Sequence, residues 1–209
     1  MSGTITALKF EAHSQQRVSV YLDGEPAFGL PALEAARLRH GQVLSDAEIA
    51  ALRALDERER AYEQAVRFLG FRPRSRAELA QYLRRKRVAD EIVSDVLARL
   101  KDAGYLDDEA FARFWVENRQ MFRPRSQRAL GIELRQKGVS REVVHDAVSE
   151  QDDEAAAWQA VAGRLSRWSD LNPDELRPKI TGFLARRGFG YSTINHTFKS
   201  ACRALQIED

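Results

Sequence analysis

Arg72-Pro73-Arg74-Ser75 and Arg123-Pro124-Arg125-Ser126 are one tetrapeptide written twice, 51 positions apart in a chain of 209 residues. The likeness runs outward at the same offset: Leu79 and Leu83 correspond to Leu130 and Leu134, Lys86 to Lys137, Val88 to Val139, Glu91 to Glu142 and Val93 to Val144. A more diverged copy follows about 50 residues later, with Ile180 and Leu184 in place of the paired leucines, Gly188 for Gly138, Phe189 for Val139 and Ile194 for Val144. A period of this size marks a helical array, in which each unit buries its apolar face against its neighbours.

Each copy reads as three helices. Tyr62, Ala65, Val66 and Leu69 recur at helical spacing in the first; Phe111, Phe114 and Trp115 begin the same pattern in the second, and Trp158, Val161, Leu165 and Trp168 continue it in the third. The middle helix opens at the capping residues Ser75 and Ser126 and carries the paired leucines. It stops at Gly138 or Gly188, where a left-handed cap is easy, and at Arg87 in the first copy. The last helix is expected to bury Ile92, Val93, Val96 and Leu100, then Val143, Val144 and Val148, then Ile194, Phe198, Ala201 and Leu205; Cys202 shares that face and reads as a buried thiol. Asp107-Asp108-Glu109 and Asp152-Asp153-Glu154 read as helix starts, where anions complement the dipole.

The first residues differ. Thr4 to Phe10 and Arg17 to Leu22 alternate or run β-branched, and Asp23-Gly24 ahead of Glu25-Pro26-Ala27-Phe28 is a hairpin signal. A short helix after Pro31, a stop at Gly41 and a helix capped by Ser45 through Ile49, Leu52 and Leu55 lead into the array. The expected fold is therefore mainly α: an elongated array of three three-helix repeats behind a small N-terminal β-hairpin or meander. Its expected divisions are 1–56 for the meander and connecting helices, then 57–106, 107–151 and 152–209 for the repeats.

Composition sets the class. With 44% hydrophobic and 31% charged residues the chain is a globular type, and it holds no long uncharged apolar run of the kind a membrane span or a secretory signal needs. One cysteine makes no internal disulfide, and His13, His40, His145 and His196 offer no zinc spacing, so neither a metal nor a cofactor is expected. The net charge of +2 conceals segregation: residues 72–101 hold 9 basic against 4 acidic, 113–141 hold 8 against 2, and 177–203 hold 6 against none. Acidic stretches separate these blocks.

No catalytic arrangement is evident, whether a phosphate loop, a nucleophile elbow, a His pair or a Cys/His dyad. The informative residues are basic. Arg72, Arg74 and Arg76, with Arg123, Arg125 and Arg128, stand at the start of the middle helices; Arg84, Arg85, Lys86 and Arg87, with Arg135, Lys137, Arg186 and Arg187, stand at their ends. Cations at a helix C-terminus suit the dipole, whereas those before an N-terminus need an anion or an acidic partner, so the repeated arginines read as a binding surface for a polyanion or an acidic protein face.

Further runs in the chain resemble those of the RecX family of recombinase regulators. They are Val18-Ser19-Val20-Tyr21-Leu22-Asp23-Gly24-Glu25, Ala65-Val66-Arg67-Phe68-Leu69, Leu100-Lys101-Asp102-Ala103-Gly104-Tyr105-Leu106-Asp107-Asp108 and Glu133-Leu134-Arg135-Gln136-Lys137-Gly138-Val139, together with the repeated tetrapeptide. The resemblance implies a curved array of three-helix repeats that lies in the groove of the RecA filament and restrains its ATPase, strand-exchange and coprotease activities, with no catalytic residue to carry over. Expected partners are the RecA filament and, weakly and without sequence preference, single- and double-stranded DNA; a cytoplasmic monomer without membrane contact is expected. The alternative reading is an independent DNA-binding protein built of helix-turn-helix-like units, although the middle helices offer few Asn or Gln to read bases.

Overall fold

The computed structural model of the chain describes residues 2–12 and 14–207; His13 lies outside the described residues, as do Glu208 and Asp209 of the tail. The chain forms two compact units, one of residues 1–72 with 79–105 and the other of residues 73–78 with 106–209.

In the first unit, strands β1 (Gly3–Glu11), β2 (Ser14–Leu22) and β3 (Glu25–Pro31) form the expected meander, and β4 (Val43–Leu44) extends it to the sheet order β3-β2-β1-β4. Asp23 (φ 50°) and Gly24 (φ 92°) make the β2–β3 turn with both residues left-handed, the conformation that fits the twist of a two-residue hairpin. β4 is an addition: two residues are too few to show alternation in sequence, and pairing with Gly3 and Thr4 alone makes them a strand. α1 (Ala32–Ala35) follows Pro31 as expected.

The connecting helix and the first helix of repeat 1 are one element, α2 (Asp46–Leu69), capped by Ser45 in a full capping box with Glu48. α2 runs unbroken through positions 56 and 57, because its sequence holds neither Pro nor Gly to stop it. Ile49, Leu52 and Leu55 pack on the meander core of Ile5, Val18, Val20, Leu30, Ala35 and Leu44. Further along, Ala61 and Ala65 are the buried positions while Val66 is 36% exposed, so the apolar stripe lies about one residue away from the one the large side chains mark. α3 (Arg76–Arg85) buries Leu79 and Leu83, and α4 (Asp90–Asp102) buries Ile92, Val93, Val96 and Leu100 as the periodicity requires.

The second unit holds α5 (Asp108–Phe122), α6 (Gln127–Gln136) and α7 (Arg141–Ser149), then α8 (Asp153–Ala162), α9 (Pro173–Ala185) and α10 (Tyr191–Leu205). Phe111, Leu130, Leu134, Val139 and Val144 form the core of repeat 2; Val161, Leu176, Ile180, Leu184 and Phe198 dominate that of repeat 3, where Cys202 is buried. The stripe from Trp158 to Trp168 is not one helix. α8 ends at Gly163, Leu165 sits in a 3-10 turn, and Trp168 meets Phe183 edge-on with centroids 5.9 Å apart.

Within the second unit a joint between a capping segment and the end of a later middle helix occurs twice. Ser75 Oγ donates to the carbonyl of Lys137 at 2.5 Å, and Asp108 accepts from the Arg76 backbone N–H at 2.7 Å. One repeat later, the Ser126 backbone N–H donates to the carbonyl of Arg187 at 3.2 Å, and Asp153 accepts from the Gln127 N–H at 2.7 Å. The acidic clusters therefore do more than favour their own helices: Asp107 and Asp152 cap α5 and α8, while their neighbours Asp108 and Asp153 cap the middle helix of the preceding repeat.

A basic joint between the second and third repeats

The fold sorts the basic residues into those it uses for itself and those it leaves to solvent. Lys137 pairs with Glu78 at 2.8 Å and lies over the Trp115 ring at 4.1 Å. Glu133, only 14% exposed, accepts from Trp115 Nε1 (2.7 Å), Arg119 Nε (2.8 Å) and Arg125 Nε (3.0 Å), so Arg125 is partly neutralised. Arg72 and Arg74 are half-buried and engaged within the fold. Arg84 pairs with Asp90 at 2.7 Å, Arg85 reaches the side chain of Gln81, and Lys86 lies over Tyr82. Arg87 takes the left-handed stop at φ 64°. Arg76 and Arg128 are exposed in the first turns of α3 and α6. Arg128 and Arg135 line, with Arg141 and His145, an open groove of about 370 Å³ between α6 and α7.

The strongest concentration is at the second joint. Arg186 and Arg187 end α9, and the joint bond from Ser126 to the Arg187 carbonyl brings that end against the segment carrying Arg123 and Arg125. Arg164, which carries no repeat signal and which sequence reasoning passes over, joins them from the end of α8: its guanidinium lies 4.6 Å from the Phe183 ring centroid, and that of Arg187 lies 3.7 Å from the same ring. Among the described residues Arg123, Arg164, Arg186 and Arg187 form no ion pair. Partial burial, then the charges of Arg164, Arg125, Arg123 and Arg186, hold the Arg187 guanidinium below the ordinary arginine range. Like charges gathered at a half-dry surface make an anion acceptor, because any bound anion removes mutual repulsion as well as supplying its own attraction.

Sequence reasoning also misses the residue ahead of each tetrapeptide. Phe71 is 83% exposed and Phe122 is 70% exposed, beside Met121 at 69%. The signal was available, since both phenylalanines obey the offset of 51. Among the described residues no helix is long and apolar enough to cross a membrane.

Comparison with known proteins agrees with this architecture. Family models of the first, second and third three-helix domains of RecX match residues 61–100, 107–148 and 151–198 in that order. The Regulatory protein RecX of Bacillus licheniformis is 30% identical over 196 residues, covering 91% of this chain and 74% of that protein. That of Thermobifida fusca is 40% identical over 153 residues, covering 71% and 82%. A crystal structure of regulatory protein RecX superposes with a TM-score of 0.71 at 23% identity over 95% of this chain and 99% of its own, and RecX from Lactobacillus salivarius with 0.60 at 20% identity over 70% and 97%. With the three domains in order and such relatives matched over most of their length, the chain belongs to the RecX family of regulatory proteins.

Proposed function

We propose that this protein binds the RecA nucleoprotein filament and restrains its ATPase, strand-exchange and coprotease activities, acting without catalysis of its own as a cytoplasmic monomer that tunes recombination, DNA repair and the SOS response. The observation that carries the reading is the ordered match of three RecX domains across residues 61–198. Residues 1–56 are the meander and its connection, and 57–106, 107–151 and 152–209 are the three binding repeats. The basic surfaces supply the physical means: several weak charged contacts on one chain gain avidity against a periodic target and oppose its turnover by occupancy. DNA within the filament is contacted through phosphates, without base readout.

The single-stranded-DNA-dependent ATPase of RecA, titrated with this protein at several salt concentrations beside binding to the same DNA alone, tests the reading. Inhibition well below the concentration that coats naked DNA is the expected outcome. Inhibition only once the DNA is saturated favours the independent DNA-binding reading, for which the supporting observation is the gathering of Arg123, Arg164, Arg186 and Arg187 without an ion pair among the described residues.

A further inference from the structure

The second joint brings together two features, a group of arginines and an exposed ring on the segment it meets. One is the group of Arg123, Arg125, Arg164, Arg186 and Arg187, of which, among the described residues, only Arg125 has a carboxylate, Glu133 at 3.0 Å. The other is Phe122, the last residue of α5, 70% exposed and one position before Arg123. A large ring held in water at a helix end buries little apolar area and is a binding determinant when a partner covers it. The same Phe-Arg-Pro-Arg-Ser run in the first repeat leaves Phe71 83% exposed, so the exposure accompanies the motif and is not an accident of one loop. Pro73 and Pro124 follow the Phe-Arg pairs and fix φ there, which limits the entropy lost when a ligand orders them.

A duplex hides the faces of its bases in the stack and presents only groove edges and phosphates, whereas an unpaired strand offers a phosphate and a bare π-face together at each nucleotide. A solvent-exposed ring one position before Arg123, on the segment that meets the Arg186-Arg187 end of α9, matches that second pattern. A protein partner would need an acidic patch and an apolar pocket side by side. The crowding of positive charge around Arg187 favours the closely spaced phosphodiesters of a nucleic acid strand.

We propose that this joint is a site for unpaired nucleic acid, in which Arg123, Arg164, Arg186 and Arg187 take consecutive phosphodiesters and the Phe122 ring stacks on a base, with Phe71 as its counterpart in the first repeat. The proposal rests on the reading above that the basic surface contacts nucleic acid, and adds to it a residue that selects single strands.

The test is fluorescence anisotropy of the full chain with labelled oligo-dT, with a fully abasic strand of the same length, and with a duplex, over a series of KCl concentrations. Wild type is expected to bind oligo-dT about tenfold more tightly than the abasic strand, the range of one base-aromatic stack. Phe122→Ser should lose that preference, Phe122→Tyr should keep it, and both should retain the wild-type salt slope, since no phosphate contact is removed. Arg123→Ser with Arg186→Ser should instead flatten the salt slope by about 1.4 and keep the preference for bases. Equal weakening of oligo-dT and abasic binding by Phe122→Ser would assign the ring a structural role and overturn the proposal. So would a Phe122→Ser variant that binds both strands as wild type does but loses affinity for the recombinase filament, which would make the ring a protein anchor. A wild-type chain that binds neither strand would refute the underlying nucleic-acid reading, while one that binds both strands equally would refute only the stack.

Discussion

At Gly138 and Gly188 the space a Cβ would need is already taken by Ala77 in one case and by Ser126 and Ala129 in the other. Both residues have positive φ (76° and 87°), and a Cβ at Gly188 would lie 2.7 Å from Ala129 Cβ and from Ser126 Oγ; at Gly138 it would collide with Ala77 Cβ. Arg87 fills the corresponding place in the first repeat with φ 64°, so left-handed strain alone does not demand glycine; the close approach of the preceding middle helix does. Gly188→Ala should therefore lose ~2–4 kcal/mol of stability in urea titration, combining left-handed strain with overpacking. Arg87→Gly should change it by less than ~1 kcal/mol. A second residue-level prediction concerns acid. The hydrogen bonds from Ser45, first of its hydroxyl and then of its backbone, hold the Glu48 carboxyl below its ordinary 4.5. A depressed carboxylate contributes stability above the unfolded value that is lost as pH falls through the folded one, so the start of α2 should fray below pH 4.5. Amide exchange at Ile49 across that window checks it, and Ser45→Ala should remove the cap and reduce the pH dependence to the part that the backbone N–H of residue 45 supplies.

Between elements, the first unit depends on one buried arginine. Arg17 on β2 is 7% exposed; it pairs closely with Asp56 of α2 and reaches Glu63 at 3.4 Å and Glu11 at 3.5 Å. Burial pulls its pKa down, but the hydrogen bond and charge of Asp56, then Glu63 and Glu11, outweigh burial and leave it raised. Arg17→Met should destabilise the fold by about 3 kcal/mol, because Asp56, 12% exposed, would lose its buried partner and among the described residues keep only Arg60 at 3.0 Å. Differential scanning calorimetry with far-UV circular dichroism would show the loss; an unchanged transition would mean that the meander and α2 are held by apolar contact alone. In the second unit Glu133 has the comparable place, gathering Trp115, Arg119 and Arg125.

For the whole molecule, function is read from charges the fold does not consume. Arg72, Arg74, Arg125 and Lys137 were natural choices from the repeated tetrapeptide and the helix end, yet each is engaged within the fold, so reversing their charge confounds binding with stability. Among the described residues Arg123, Arg128, Arg135 and Arg186 form no ion pair. Replacing these four by Glu should leave the circular dichroism and melting transition unchanged and raise the concentration needed to inhibit the RecA ATPase by at least tenfold, with a weaker salt dependence than wild type. Full inhibition by a folded variant of this kind would place the filament contact on another face.

Much of this was legible in the letters. The offset of 51, the capping serines, the paired leucines and the β-branched alternation before Asp23-Gly24 each report local physics: periodicity fixes which face is apolar, and caps and turns need particular residues within a few positions. Those signals gave the helical repeats and the meander, and family membership followed from motif order. The joints were not legible, because the bonds between Ser75 and Lys137 or Gln127 and Asp153 join residues far apart in the chain, and nothing in either segment names its partner. Nor could sequence say which basic residues were spent on Glu78 and Glu133 and which were left around Arg187. Only tertiary packing decides that, since charge pairing in space depends on which helix ends meet.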